Sequence, residues 1–184
     1  MQCVSTISKV VVIVGVLVAT AGFAQQAAAP QLEGKATLLR PQGYREWIFV
    51  GSSLGLAYAQ NPEQDSRNST IYHNVYINPA GYRGFMQTGK FPDGTMMALE
   101  LFSSEVKKEP GLQGSYEKDF VALEFSVKDS SRFEGGWGYF NFTDRGAVKE
   151  KAEAMPQNTC WACHDKNAAT DHVFTQFYPV LRAK

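Results

Sequence analysis

The sequence has no excess of charge of either sign. Its 18 Lys and Arg residues stand against 18 Asp and Glu, for a formal net charge of zero at pH 7. The longest charged runs, Lys107-Lys108-Glu109 and Lys149-Glu150-Lys151, mix the two signs. Such a chain offers no basic face for a nucleic acid or an anionic membrane. Cysteine is scarce too, with 3 in 184 residues. Cys3 lies ahead of the first apolar run, which leaves only Cys160, Cys163 and His164 clustered together. A structural zinc site usually needs four such ligands, so that reading falls short. The apolar core at 10–18 is too short to span a bilayer comfortably. Neither an internal repeat nor a long low-complexity segment is present.

What is there begins with a leader. Lys9 supplies a positive charge, 10–18 the apolar core, and Ala21-Gly22-Phe23-Ala24 the small residues of a cleavage site. Residues 1–24 therefore read as a signal peptide and 25–40 as a linker or N-terminal segment. Residues 41–184 then form one domain, long enough to bury a core.

Cys160-Trp161-Ala162-Cys163-His164 is the attachment pattern of c-type haem. Two thiols three positions apart reach the two vinyl groups on one porphyrin edge and form thioethers. The next residue then falls beneath the iron, where the His164 imidazole can take an axial position. One covalent haem c through Cys160 and Cys163 is thus expected, with His164 as the metal ligand. Export together with haem attachment points to the periplasm and to no membrane insertion after the leader is cleaved.

Along the chain, Tyr44-Arg45-Glu46-Trp47 reads as a helical turn leading into a strand or a continued helix, and 60–70 as a loop. Residues 71–77 alternate as a strand with Ile71, His73, Val75 and Ile77 on one face. Asn78 caps a helix that has Pro79 at its first position, Tyr82, Phe85 and Met86 as its buried stripe, and Gly89 at its end. A strand at 95–102 sends Met97, Leu99 and Leu101 one way and Met96, Ala98, Glu100 and Phe102 the other. Another at 119–128 aligns Val121, Leu123, Phe125 and Val127. Residues 130–133 read as a short helical link and 136–142 as a strand covered on both sides. Helical turns are expected over 148–155, around the haem motif, and in a last helix capped at Thr170 or Asp171 with Phe174, Phe177 and Leu181 on one face. The fold class is α+β: mainly antiparallel sheet, short helices and a C-terminal helical haem-attachment segment.

A late haem motif in a β-rich chain fits neither the small electron carriers nor the all-helical four-helix cytochromes. The chain instead resembles the cytochrome P-460 and β-sheet cytochrome c′ (c′-beta) family. The resemblance is carried by Val75-Tyr76-Ile77-Asn78-Pro79, Thr88-Gly89-Lys90-Phe91-Pro92-Asp93-Gly94-Thr95, Gly136-Trp137-Gly138-Tyr139-Phe140, the haem motif and Val173-Phe174-Thr175-Gln176-Phe177-Tyr178-Pro179. It implies an antiparallel sheet, a homodimer, and one covalent haem with an open distal side. P-460 members oxidise hydroxylamine and carry a lysine cross-linked to the porphyrin; c′-beta members lack that bond and bind nitric oxide or carbon monoxide. The cross-linking position falls at Leu99 here, which implies a member without the bond, and Lys90 reads as a surface residue.

The Met97/Leu99/Leu101 face is the expected pocket wall, with Met97 and Leu99 against the cofactor. His73 should point inward, as a core histidine, a distal residue for a bound ligand, or a sixth ligand. His172 reads as a surface or structural residue, and Arg83 and Glu100 as the nearest candidates for charged groups behind the pocket or else as solvated. The leading expectation is a nitric oxide-binding cytochrome with a small diatomic or nitrogenous ligand and a redox partner protein. Hydroxylamine oxidation and plain electron transfer are the alternatives.

Overall fold

The computed structural model describes residues 29–56 and 70–182. The leader at 1–24 and almost all of the 60–70 loop lie outside the described residues.

Five antiparallel strands form the main sheet, in chain order: β3 (Ile48–Leu54), β4 (Ile71–Ile77), β5 (Met96–Lys107), β6 (Gly114–Lys128) and β7 (Trp137–Asn141). A smaller sheet joins β1 (Leu32–Glu33), β2 (Thr37–Leu39) and β10 (Lys151–Glu153). Strands β8 (Thr143–Asp144) and β9 (Ala147–Val148) make a short hairpin. With two short α-helices, this is the expected α+β class.

The main sheet is buried on both faces, because strand alternation sends successive side chains to opposite sides. Met96, Ala98, Leu123, Phe125 and Phe140 enter one core with Leu38 of β2 and Ala152 of β10. Part of the segment read as linker is therefore built into the fold. Val75, Ile77, Met97 and Tyr139 enter the second core with Phe85, Phe91, Val173 and Leu181. The alternation read for β5 holds: Met97 and Leu99 belong to one face, Met96 and Ala98 to the other.

Helix α1 (Pro79–Thr88) has the expected boundaries. The Asn78 side chain accepts from Gly81 N at 3.3 Å, Pro79 occupies the first turn, and Gly89 closes it at φ 72°. Asn78 is almost wholly buried; it also accepts from Met96 N and donates to Gly94 O, each at 3.0 Å. It thus joins the helix start to the start of β5.

After the expected helical turn, a 3-10 turn at Tyr44–Glu46, the chain takes the strand of the two courses left open. Several other expectations are corrected. Met86 is 43% exposed, so the α1 stripe centres on Phe85, stacked on Phe91 at 4.1 Å. The pairing of β5 with β6 shifts near Phe102 and Phe120, which turns Val121 outward. The helical turn in the 130–136 connection lies at Glu134–Gly136, after a turn at Ser130–Arg132. Residues 148–155 hold β10 rather than helix, because Ala152 pairs with Leu38 and drops into the core between exposed neighbours. The C-terminus makes two 3-10 turns, Thr175–Phe177 and Pro179–Leu181, instead of one helix. Asp171 and His172 both adopt positive φ, and Pro179 has no N–H to continue a ladder. Glu100 is 2% exposed, not solvated: it accepts from Tyr44 Oη at 2.5 Å and from Arg45 Nε and Nη2 at 3.0 and 2.6 Å. Arg83 and Lys90 are exposed, as expected.

Asn78→Ala should lower stability by about 3 kcal/mol, combining a lost cap with buried backbone groups left unpaired. Urea denaturation checks this; a loss below about 1 kcal/mol would mean that the cap does not couple α1 to β5.

Candidate functional site

Helix α2 (Cys160–Asn167) carries the CxxCH motif. Positions i, i+3 and i+4 share a helix face, so Cys160, Cys163 and His164 present together. All three line one cavity of about 270 Å³ between α2 and the second face of the sheet. Both thiols are free and half-buried. Burial pushes the Cys160 thiol above its usual range, and its Sγ lies 3.7 Å from Met155 Sδ.

His164 is held on three sides. Its Nδ1 lies 2.7 Å from the His172 carbonyl, and its ring packs 4.6 Å from those of Tyr139 and Phe174. A carbonyl can only accept, so Nδ1 carries the proton and Nε2 keeps its lone pair. Burial lowers the basicity of the ring, which favours the neutral, metal-binding form. Trp161, between the two cysteines, lies against Gly135. A Cβ on that glycine would come within 2.4 Å of the indole, and its φ of 73° also suits glycine.

The sheet supplies Val75, Met97 and Leu99 to the cavity, whereas Leu101, expected on the same wall, is not part of its lining. His73 is not part of it. It lines an adjoining compartment of about 390 Å³ that shares Leu99, Cys163, Phe174 and Tyr178 with the first. The His73 Nδ1 is buried without a hydrogen-bond partner, and burial depresses its pKa. Among the described residues, no lysine lines either compartment. His172 sits in a turn rather than a helix; it lines the first cavity and its carbonyl holds His164.

The residue that sequence reasoning missed is Glu124. It pairs with Leu99 across β5 and β6 and so faces the same cavity. Desolvation raises its carboxyl pKa. Its place between Leu123 and Phe125, both in the opposite core, was the available signal.

Two free thiols and a neutral imidazole on one helix face, opposite an aliphatic wall, suit a covalently anchored haem. The same three side chains do not suit a bare ion: among the described residues no group of three or more His, Cys, Asp or Glu is arranged to hold one.

The raised Glu124 pKa has a consequence for stability. The folded protein holds the proton more tightly than the unfolded chain, so ionisation destabilises the fold as pH rises through the raised value. Glu124→Gln should match wild type near about pH 3.5, where both states are neutral, and become the more stable protein by about pH 8. Urea midpoints across that range check it; a pH-independent difference would contradict the assignment.

Among the described residues, no helix is long and apolar enough to cross a membrane. No curated protein matches the chain. Residues 41–175, well over half of its 184, match the family described as Cytochrome P460. The CxxCH helix, its paired thiols and the two-faced antiparallel sheet all lie within or against that span, and the chain belongs to the cytochrome P460 family of haem c cytochromes.

Proposed function

We propose that this protein is an exported, periplasmic monohaem cytochrome that binds nitric oxide or a similar small ligand on an open distal side. Cys160 and Cys163 would hold the single haem c covalently, and His164 would ligate its iron. The observation that carries this reading is one cavity in which both thiols and His164 face Val75, Met97 and Leu99. Leu99 occupies the position where a cross-linking lysine is expected in P-460 members, and an aliphatic side chain cannot form that bond. The leader sequence supports export; a homodimer and a redox partner protein complete the proposal.

When bound, the haem would supply an iron able to take up a small ligand and to pass electrons. The chain's own residues do the rest. Leu99, Met97 and Val75 exclude water and offer no hydrogen bonds, which favours neutral diatomics over polar species. Tyr178, with its pKa pushed up to about 12 by burial, stays a neutral phenol against the same space.

A second reading, oxidation of hydroxylamine, is favoured by Glu124. A carboxyl in the cavity whose pKa burial raises can take or return a proton. His73, in the adjoining compartment, is a second proton-handling group for that chemistry. The third reading, plain electron transfer, needs a second strong axial ligand, such as His73, Met96 or Met97. Met96 points into the opposite core, which leaves it unsuited to that role.

Absorption spectra of the ferric and ferrous protein, followed by a nitric oxide titration, test the proposal. The expected result is a five-coordinate high-spin haem without P-460-type absorption that takes up nitric oxide stoichiometrically. Hydroxylamine turnover with an artificial electron acceptor, lost in Glu124→Gln, would favour the second reading. A six-coordinate low-spin resting spectrum would reject an open distal side.

A further inference from the structure

The backbone carbonyl that holds His164 sits in an unusual turn. Thr170 and Val173 bridge each other, with Val173 N donating to Thr170 O at 2.8 Å. Between them Asp171 and His172 adopt φ of 44° and 60°. Two consecutive positive φ values are the signature of a type I′ turn, normally the place of Asn-Gly. Neither residue here is glycine, so contacts must hold the turn.

Those contacts converge on Asp171. Its carboxylate receives Lys128 Nζ at 2.7 and 3.0 Å, and Trp137 Nε1 donates to Oδ1 at 3.2 Å. Lys128 and Trp137 are cross-strand partners in β6 and β7, and the ammonium lies 5.4 Å from the indole ring. The Lys128 side chain is 13% exposed and that of Asp171 29%, so this ion pair is partly shielded from water. Next in the chain, the His172 carbonyl accepts from His164 Nδ1 at 2.7 Å and from Tyr139 Oη at 3.4 Å. A continuous path of polar contacts therefore runs from the sheet edge through Asp171 and one peptide unit to the imidazole.

We infer that Asp171, clamped by Lys128 and Trp137, is a positioning residue that aims the His172 carbonyl at His164 and sets how strongly that imidazole donates to iron. The inference rests on His164 being the axial ligand. An acceptor on Nδ1–H makes the ring a better donor through Nε2, and it fixes the plane of the ring. Loosening the clamp lets the carbonyl drift, which weakens the donation.

The test uses haem-loaded full-length protein and two variants. Asp171→Asn keeps an acceptor for Trp137 and a residue tolerant of positive φ, yet loses the ion pair. Lys128→Met keeps the apolar stem and loses the ammonium. In both, the iron–histidine stretching band of the ferrous protein should move to lower wavenumber in resonance Raman spectra. The midpoint potential should rise, because a weaker donor stabilises ferric iron less. Lys128→Arg should bring both readouts back towards wild type. If band and potential stay at wild-type values in the two variants while thermal stability falls, Asp171 is only a structural anchor and the inference is overturned. A wild-type protein with haem but no iron–histidine band would instead overturn the axial assignment, and the inference with it.

Discussion

A sheet buried on both faces has to satisfy two unlike demands. One face is close-packed: Phe125 meets Tyr44, Trp47 and Phe142 edge-on at 5.4–6.1 Å, and Leu38 and Ala152 of the small sheet seal it. The other face must stay open enough to admit a flat cofactor without collapsing. It is propped by the chain that covers it: α1, α2 against β7, and the C-terminal 3-10 turns, of which Pro179–Leu181 lies against β3 at the opposite edge. Val173 and Leu181 pin that covering segment into the second core. The cavity is therefore a by-product of where the cover is fastened. Rigidity on the packed face and openness on the other belong to the same five strands.

The electrostatics follow the same division. Beneath the packed face, Glu100 is surrounded by donors from Tyr44 and Arg45, and Tyr44's own phenol is driven well above its ordinary range by burial and by that carboxylate. On the cavity face, Glu124 has no such company, and desolvation alone shifts it. Two glutamates on neighbouring strands thus play unlike parts. Glu100 is a structural anion satisfied by its partners, whereas Glu124 is a desolvated carboxyl whose charged form the cavity disfavours.

The legible parts of the sequence were those where local chemistry and tertiary context agree. Asn78, Pro79 and Gly89 bound α1 because cap chemistry acts within a turn of chain. The CxxCH spacing is helical, so its three side chains meet on one face wherever the helix lies. β10 was illegible because one buried alanine between Lys151 and Glu153 carries no period to detect. The terminal helix failed to form for a reason invisible to periodicity: Asp171 and His172 are held in left-handed conformations by Lys128 and Trp137, far away in sequence. Glu124 went unnoticed because Leu123 and Phe125 drew the reading to the opposite face, where polar alternation looks like solvent exposure. His73 was rightly read as inward, but only the fold could show that the inside has two compartments.

The contact between Gly135 and Trp161 carries a last implication. The indole between the two thiols rests on bare backbone, so the separation of the CxxCH helix from the sheet edge is fixed by the size of a hydrogen atom. Even one methyl group at that spot would wedge the helix outward and carry both sulfurs with it. The placement of the two thiols is thus gauged by a residue outside the cavity lining, in a connection between strands that a survey of reactive groups would pass over.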